Sequence, residues 1–224
     1  MKTLSKNLII YGSGGHGKVI LNAIHDINTF NKEKDRIEPI KLVGFLDDGA
    51  TKEVLGFPML GGSKDVLRVK QEYEDLHFIM AIGTNSVRKR IYYELIEQGL
   101  KPMTIIHPTA CISEFAEIGK GTYIGPFAVI QVCAKVGDNI IINTRVTVEH
   151  DCIIEDHSQL CPSVTLSGTV IIKEGAFLGT NSCTRQNLII GKNAVIGVGG
   201  AVVNDIPSNV TVVGVPARRV LKKG

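Results

Sequence analysis

From Ile112 to Val202 an aliphatic residue recurs at almost every sixth position, with no slip in phase. The series is Ile112, Ile118, Ile124, Ile130, Val136, Ile142, Val148, Ile154, Leu160, Leu166, Ile172, Leu178, Thr184, Ile190, Ile196, Val202, and only Thr184 departs from it. Two residues before each member the side chain is usually small, as at Ala110, Ala116, Ala128, Ala134, Cys152, Ser158, Ala176 and Ala194, with Ile140 and Leu188 as bulky exceptions. A period of six matches neither the helical repeat nor the alternation of an ordinary strand. It matches a β-solenoid, in which each unit is one flat side and the aliphatic residue fills a narrow lumen. Three units close a triangular coil, so the run makes about five coils stacked at roughly the 4.8 Å spacing of paired strands. Gly119, Gly125, Gly137, Gly179, Gly191 and Gly197 each follow an aliphatic position. That slot is expected to be a turn that uses glycine's backbone freedom.

The chain's 224 residues are enough for two modest domains. A net charge of +3, with 25 basic and 22 acidic residues spread along the chain, gives no basic stripe for nucleic acid. The closing Arg218-Arg219-Val220-Leu221-Lys222-Lys223 is basic but short. No apolar run is long enough to span a membrane, and Leu8-Ile9-Ile10 is too short for a secretory core. The five cysteines, Cys111, Cys133, Cys152, Cys161 and Cys183, are scattered and show no Cys-x-x-Cys pair, as expected of free thiols in a cytoplasmic protein. Cys152 occupies a small-residue slot, which favours a packing role over a nucleophilic one.

The front of the chain alternates strand and helix. Strands are expected at Asn7 to Tyr11, Lys41 to Leu46 and His77 to Ile82, and helices from Lys18 to Ile27, Ser63 to Tyr73 and Ser86 to Gln98. This pattern describes a small α/β unit on a parallel sheet. Residues 1–106 are assigned to it and 107–224 to the solenoid, with His107-Pro108 at the junction. Gly12, Gly14 and Gly17 satisfy G-x-G-x-x-G between the first strand and its helix, where glycines let backbone N–H groups approach a diphosphate. The acidic pair Asp47-Asp48 comes thirty residues after Gly17, farther than the roughly twenty of the dinucleotide fingerprint. Three readings stand: a nucleotide site other than NAD, with Asp47 or Asp48 on a base or ribose; an NAD site; or a turn that only packs helix on strand.

On the solenoid the richest cluster is Glu149-His150-Asp151. An imidazole between carboxylates can be held in one tautomer as a general base, or be a surface histidine in a salt-bridged turn. One coil later stands Gly168, leaving a gap beside the ring where a ligand can lie. His157 is expected at the surface, His107 in a structural role, and His16 within reach of a ligand in the glycine loop. No H-E-x-x-H helix, cysteine cluster or carboxylate cage points to a metal, and no nucleophile elbow is present.

Taken together, Tyr11-Gly-Ser-Gly-Gly-His-Gly17, Phe45-Leu-Asp-Asp48, Ala81-Ile-Gly-Thr-Asn85 with Arg88, His107-Pro108, Asn143-Thr144, Glu149-His150-Asp151-Cys152 and Gly214-Val-Pro-Ala217 resemble one family end to end. It is that of the bacterial sugar O- or N-acyltransferases of the sialic acid and bacillosamine pathways, with nearest likeness to UDP-4-amino-sugar N-acetyltransferases. The resemblance implies a Rossmann-like N-terminal domain followed by a left-handed parallel β-helix of hexapeptide repeats. It implies direct transfer from acetyl-CoA, with His150 as general base and Asp151 raising its basicity. Gly14, Gly15, His16, Asp47, Asp48, Gly83, Asn85 and Ser86 would line the nucleotide-sugar site. Gly168, Thr180 and Gly199 would hold the coenzyme. Several relatives carry a second histidine nine residues after the catalytic one; here Gln159 stands there, a possible uncharged donor to the thioester carbonyl. The family is trimeric, with active sites between neighbouring solenoids. O-acetylation of sialic acid or a related sugar, and a non-catalytic nucleotide-binding scaffold, remain as alternatives.

Overall fold

The protein is described from a computed structural model covering residues 6–33, 39–49 and 52–220; Leu221, Lys222 and Lys223 of the basic close lie outside the described residues. The chain divides into two compact units, Met1–Pro108 and Thr109–Gly224.

The first unit is built on a four-stranded parallel sheet. Its strands are β1 (Asn7–Tyr11), β2 (Lys41–Leu46), β3 (Leu76–Met80) and β4 (Lys101–Pro102), in the order β2-β1-β3-β4. Leu8, Ile9, Ile10 and Tyr11 are all buried, the continuous apolar run of a strand covered on both faces. Helix α1 (Gly15–Glu33) starts three residues ahead of the expected Lys18, α2 is Val66–Glu72 after a 3-10 turn, and α3 is Asn85–Glu97. From β1 the chain passes to β2 on one side, then returns to β3 on the other. This reversal opens a crevice outside the carboxyl ends of β1 and β3, the usual ligand position in open α/β sheets.

The second unit is a parallel β-solenoid of two-residue strands. One sheet holds Glu117–Ile118, Lys135–Val136, Ile153–Ile154, Ile171–Ile172 and Ile189–Ile190. A second runs from Cys111–Ile112 through Thr147–Val148 to Ala201–Val202, and a third includes Tyr123–Ile124, Gln159–Leu160 and Val195–Ile196. From Cys111–Ile112 to Ala201–Val202 the strands pair in steps of one coil, as in Lys135↔Ile153 and Gln159↔Phe177, and the unit closes on Thr211–Val213, which also pairs antiparallel with Arg218–Arg219. The second residue of each strand fills the lumen, where Ile124, Ile142, Leu160, Leu178 and Ile196 are all 0% exposed. Burying each such side chain stabilises the fold by roughly 1.5–3 kcal/mol. The small residues two positions earlier share that interior: Ala128, Ala134, Cys152 and Ala176 are fully buried.

Two expectations are corrected. The left-handed backbone positions are Gly121, Phe127, Cys133, Asn139, Arg145, Asp151, His157 and their repeats as far as Gly199, three residues after each lumen position from Ile118 to Ile196. The glycines directly after the aliphatic residues have no left-handed φ. They are small because the coils stack tightly: a Cβ on Gly179 would stand 2.8 Å from Ile196 O and Val198 N. The second correction concerns His157, which is 1% exposed rather than at the surface. Its corner turns the ring inward, stacked one coil from Asn139, whose side-chain amide donates to His157 Nδ1 at 2.9 Å.

Candidate active site

In the first unit the glycine loop follows β1 directly. Gly12 has φ +111°, and a Cβ there would stand 2.9 Å from the Ala81 carbonyl group, so only glycine fits between the ends of β1 and β3. Gly17 is pressed against Gly12 O, which lets α1 pack onto the strand end. Gly14, Gly15 and Gly83 differ: a Cβ on any of them would meet nothing within 4 Å. The motif therefore divides into two packing glycines and a set facing open space. The N-termini of α1 at Gly15 and of α3 at Asn85 follow β1 and β3, and Ser86 lies exposed in the first turn of α3. Unpaired N–H groups at such ends favour an anion.

The acidic pair braces these loops. The Ser13 N–H and hydroxyl donate to Asp47 Oδ2 at 2.8 and 2.7 Å, and the Gly49 N–H donates to Asp47 Oδ1 at 2.9 Å. Burial pushes the Asp47 pKa up, but the Ser13 and Gly49 bonds outweigh it and hold the carboxyl below its ordinary value. Asp48 accepts from the Ser63 N–H at 2.7 Å and the Tyr11 hydroxyl at 2.9 Å, and these bonds, Ser63's first, lower its pKa. His16 has its pKa lowered to about 4, by burial first and by the charge of Arg88 second, so it is neutral at pH 7. Arg88, 0% exposed, donates from NH1 to the Ile82 carbonyl at 3.0 Å. Burial alone lowers its pKa to about 9, still charged at neutral pH.

In the second unit, His150 and Asp151 stand at the corner between the sheets of Thr147–Val148 and Ile153–Ile154. Asp151 has φ 58°, a left-handed position that aspartate tolerates better than most residues. His150 Nδ1 lies 2.8 Å from Asp151 Oδ2, with both side chains more than half exposed. A carboxylate accepts only, so Nδ1 carries the proton and Nε2 presents its lone pair. The ring pairs with Asp151 and not, as the flanking pair had suggested, with Glu149 too. A Cβ on Gly168 would stand 2.5 Å from His150 Nε2 and 2.6 Å from Cε1. The space over Gly168, expected to be a ligand gap, is thus filled by the imidazole itself.

Thr180 and Gly199 meet at another corner, where the Gly199 N–H donates to Thr180 O at 2.9 Å and Gly199 faces open space. That corner and the His150–Gly168 corner are the two edges of the Thr147–Thr165–Cys183 side. Gln159 lies on the side opposite His150, 9% exposed, with its amide donating to Cys161 Sγ at 3.7 Å. A triangular coil cannot bring these two residues of one chain together. Cys152 is fully buried, its thiol donates to Ser167 O at 3.2 Å, and burial raises its pKa, as suits a packing residue. His107 is held by Asp26, Nε2 to Oδ2 at 3.0 Å. Sequence reasoning passed over Ser13 and Ser63 and gave Arg88 no role, because their partners lie far along the chain or in its folded interior. Among the described residues no group of three or more His, Cys, Asp or Glu is placed to hold a metal, and no helix is long and apolar enough to cross a membrane.

Residues 7–95 match the family model of the PglD N-terminal domain. A GDP-perosamine N-acetyltransferase of Escherichia coli is 30% identical over 215 residues, 93% of this chain and 94% of that protein. A UDP-N-acetylbacillosamine N-acetyltransferase of Bacillus subtilis is 39% identical over 125 residues, 53% of this chain and 51% of that protein. The acetyltransferase domain of PglB from Neisseria gonorrhoeae, solved also in complex with acetyl coenzyme A, superposes with a TM-score of 0.85 at 32% identity, covering 96% of this chain and 100% of that one. With the glycine loop, the solenoid and its exposed His150–Asp151 corner, these likenesses show that the chain belongs to the sugar N-acetyltransferases of the perosamine and bacillosamine type, acetyl-CoA-dependent enzymes with a short α/β region ahead of a left-handed parallel β-helix.

Proposed function

We propose that the protein transfers an acetyl group directly from acetyl-CoA to the 4-amino group of a nucleotide-linked amino-deoxy sugar, with His150 as general base. The observation that carries this reading is the exposed imidazole tied through Nδ1 to Asp151, which leaves Nε2 free to accept a proton. The acceptor amine, once it has lost its ammonium proton, attacks the thioester carbonyl. Nε2 takes a proton from the attacking nitrogen, the carbon–sulfur bond breaks, and the imidazolium returns a proton to the departing thiolate. Asp151 stabilises the imidazolium while it exists. Gly168, Thr180 and Gly199 edge the side of the prism on which the coenzyme would lie.

Gly14, Gly15, His16, Gly83, Asn85 and Ser86, with the acidic pair behind them, take the nucleotide. The open glycines and the two helix N-termini suit a diphosphate, and neutral His16 suits an uncharged partner. The relatives' names include both GDP- and UDP-linked sugars, and the UDP form is our choice for this chain. We place the enzyme in the cytoplasm as a homotrimer, with the active site between neighbouring solenoids.

A coupled thiol-release assay tests this with UDP- and GDP-linked 4-amino-6-deoxy sugars in separate arms. Turnover on a UDP sugar, with an acetylated product that resists mild base as an amide does, is the expected result. An ester product means O-acetylation. His150→Ala is expected to lower kcat by about 10²–10⁴-fold; undiminished turnover removes His150 from the chemistry.

A further inference from the structure

We infer that Asp47 is a positioning residue that acts on the nucleotide through Ser13, by clamping the glycine loop, and does not itself read the ribose or base. The inference rests on the nucleotide-sugar reading above. A carboxylate has about four lone-pair sites. In Asp47 three are taken by protein donors: the Ser13 N–H and hydroxyl on Oδ2, and the Gly49 N–H on Oδ1. Little accepting capacity is left for a sugar hydroxyl. Ser13 has both its donors on that one carboxylate oxygen, 34 positions along the chain.

The placement of the clamp supplies its function. Ser13 sits between Gly12, whose position is fixed against Ala81, and Gly14 and Gly15, which face open space. A side chain at either glycine would pack against nothing within 4 Å, so the loop there is held by its backbone alone, through the start of α1 and the Lys18 N–H that donates to Gly14 O at 3.2 Å. A diphosphate site needs the N–H groups of the two glycines converged before the ligand arrives, and glycine is the residue with most backbone freedom to lose. The Asp47–Ser13 bonds tether the loop where it would otherwise be loosest. The bonds that hold the Asp47 pKa down are the same ones, so the carboxylate stays ionised throughout the neutral range. Asp48 braces the neighbouring loop in parallel, accepting from Ser63 and Tyr11, and is the more exposed member of the pair.

The test is a double-mutant cycle, Asp47→Ala, Ser13→Ala and both, read by steady-state kinetics and by direct binding of UDP and GDP. Asp47→Ala is expected to raise the nucleotide-sugar KM about tenfold, with kcat and the acetyl-CoA KM within about twofold of wild type. In the Ser13→Ala background the same change is expected to cost clearly less, because the two residues act as one unit. Additive losses overturn the inference. So does a penalty for Asp47→Ala that disappears with a 2′-deoxy nucleotide sugar, since that is the signature of direct ribose contact. Should Asp47→Ala fold poorly, Asp47→Asn keeps the shape and part of the bonding. Amide hydrogen exchange across residues 12–17 should then be faster than in wild type while β1 stays protected, and unchanged exchange in the loop overturns the clamp. The exchange measurement needs no substrate. A wild-type protein that binds no nucleotide therefore refutes the proposed function without deciding the clamp.

Discussion

Replacing Gly168 with alanine should separate catalysis from stability in this enzyme. The new Cβ would lie 2.5 Å from His150 Nε2 and 2.6 Å from Cε1, well inside van der Waals contact. Gly168 has no left-handed φ, so its backbone accepts alanine without strain. The obstacle is the tip of an exposed side chain, so the ring yields and the coil does not. Reaching ordinary contact requires the imidazole to move by about 1 Å, a displacement that costs on the order of 100-fold when it falls on a reacting group. The same swing pulls Nδ1 from Asp151, now at 2.8 Å, and releases the tautomer. Folding stability should change by less than about 1 kcal/mol, because alanine also restricts the unfolded chain. The assay is the thiol-release rate under saturating substrates beside a thermal melt. The expected outcome is kcat down about 100-fold, Tm almost unmoved, and the nucleotide-sugar KM unchanged, since the loops proposed to take the nucleotide belong to the other unit. A kcat within about twofold of wild type at unchanged Tm would show that the ring's seat over Gly168 is irrelevant to turnover, and with it the reasoning from that contact.

Glycines elsewhere should sort by what their missing Cβ would meet. Gly179→Ala places a methyl group against the backbone of Ile196, Gly197 and Val198 and should destabilise the solenoid by about 1–3 kcal/mol, read from denaturant midpoints. Gly14→Ala meets nothing, so it should leave Tm intact while raising the nucleotide-sugar KM. His16 should make stability acid-sensitive. Its folded pKa of about 4 lies below the ordinary histidine value of 6.5, so the unfolded chain binds the extra proton as pH falls from 6.5 towards 4, and stability is lost across that window. The loss is on the order of 3 kcal/mol, and the difference in Tm between wild type and His16→Asn, followed from pH 7 to pH 4, measures it.

The prism is legible in the chain because a lumen one side chain wide admits only one residue class at a fixed interval. Fifteen aliphatic positions in phase, with Thr184 the one exception, therefore specify the sides, the coil length and the strands without reference to anything distant. The glycine loop is legible for a similar reason: strand, turn and helix N-terminus are contiguous. What the chain alone misassigned were distinctions between residues of one type. A glycine after Leu178 reads like any turn glycine, and only the coil stacked on it reveals that the need is for space and not for a left-handed φ. His157 reads like a surface histidine until Asn139, one coil away, is seen donating to it in the interior. Gln159 follows His150 by nine residues, yet the triangular cross-section puts it on the opposite side.

By itself, then, the order of residues determined the repeat, the parallel sheet and the positions of the candidate acid–base pair, since each follows from local spacing and side-chain size. Tertiary structure alone decided which groups face one another: Asp47 with Ser13, Asp48 with Tyr11 and Ser63, and the His150 ring with Gly168. The physical reason is range. Periodicity is a short-range property of the backbone, whereas a hydrogen bond or a steric contact depends on where the chain returns after tens of residues. In this protein those returns brace the glycine loop and seat the His150 ring over Gly168.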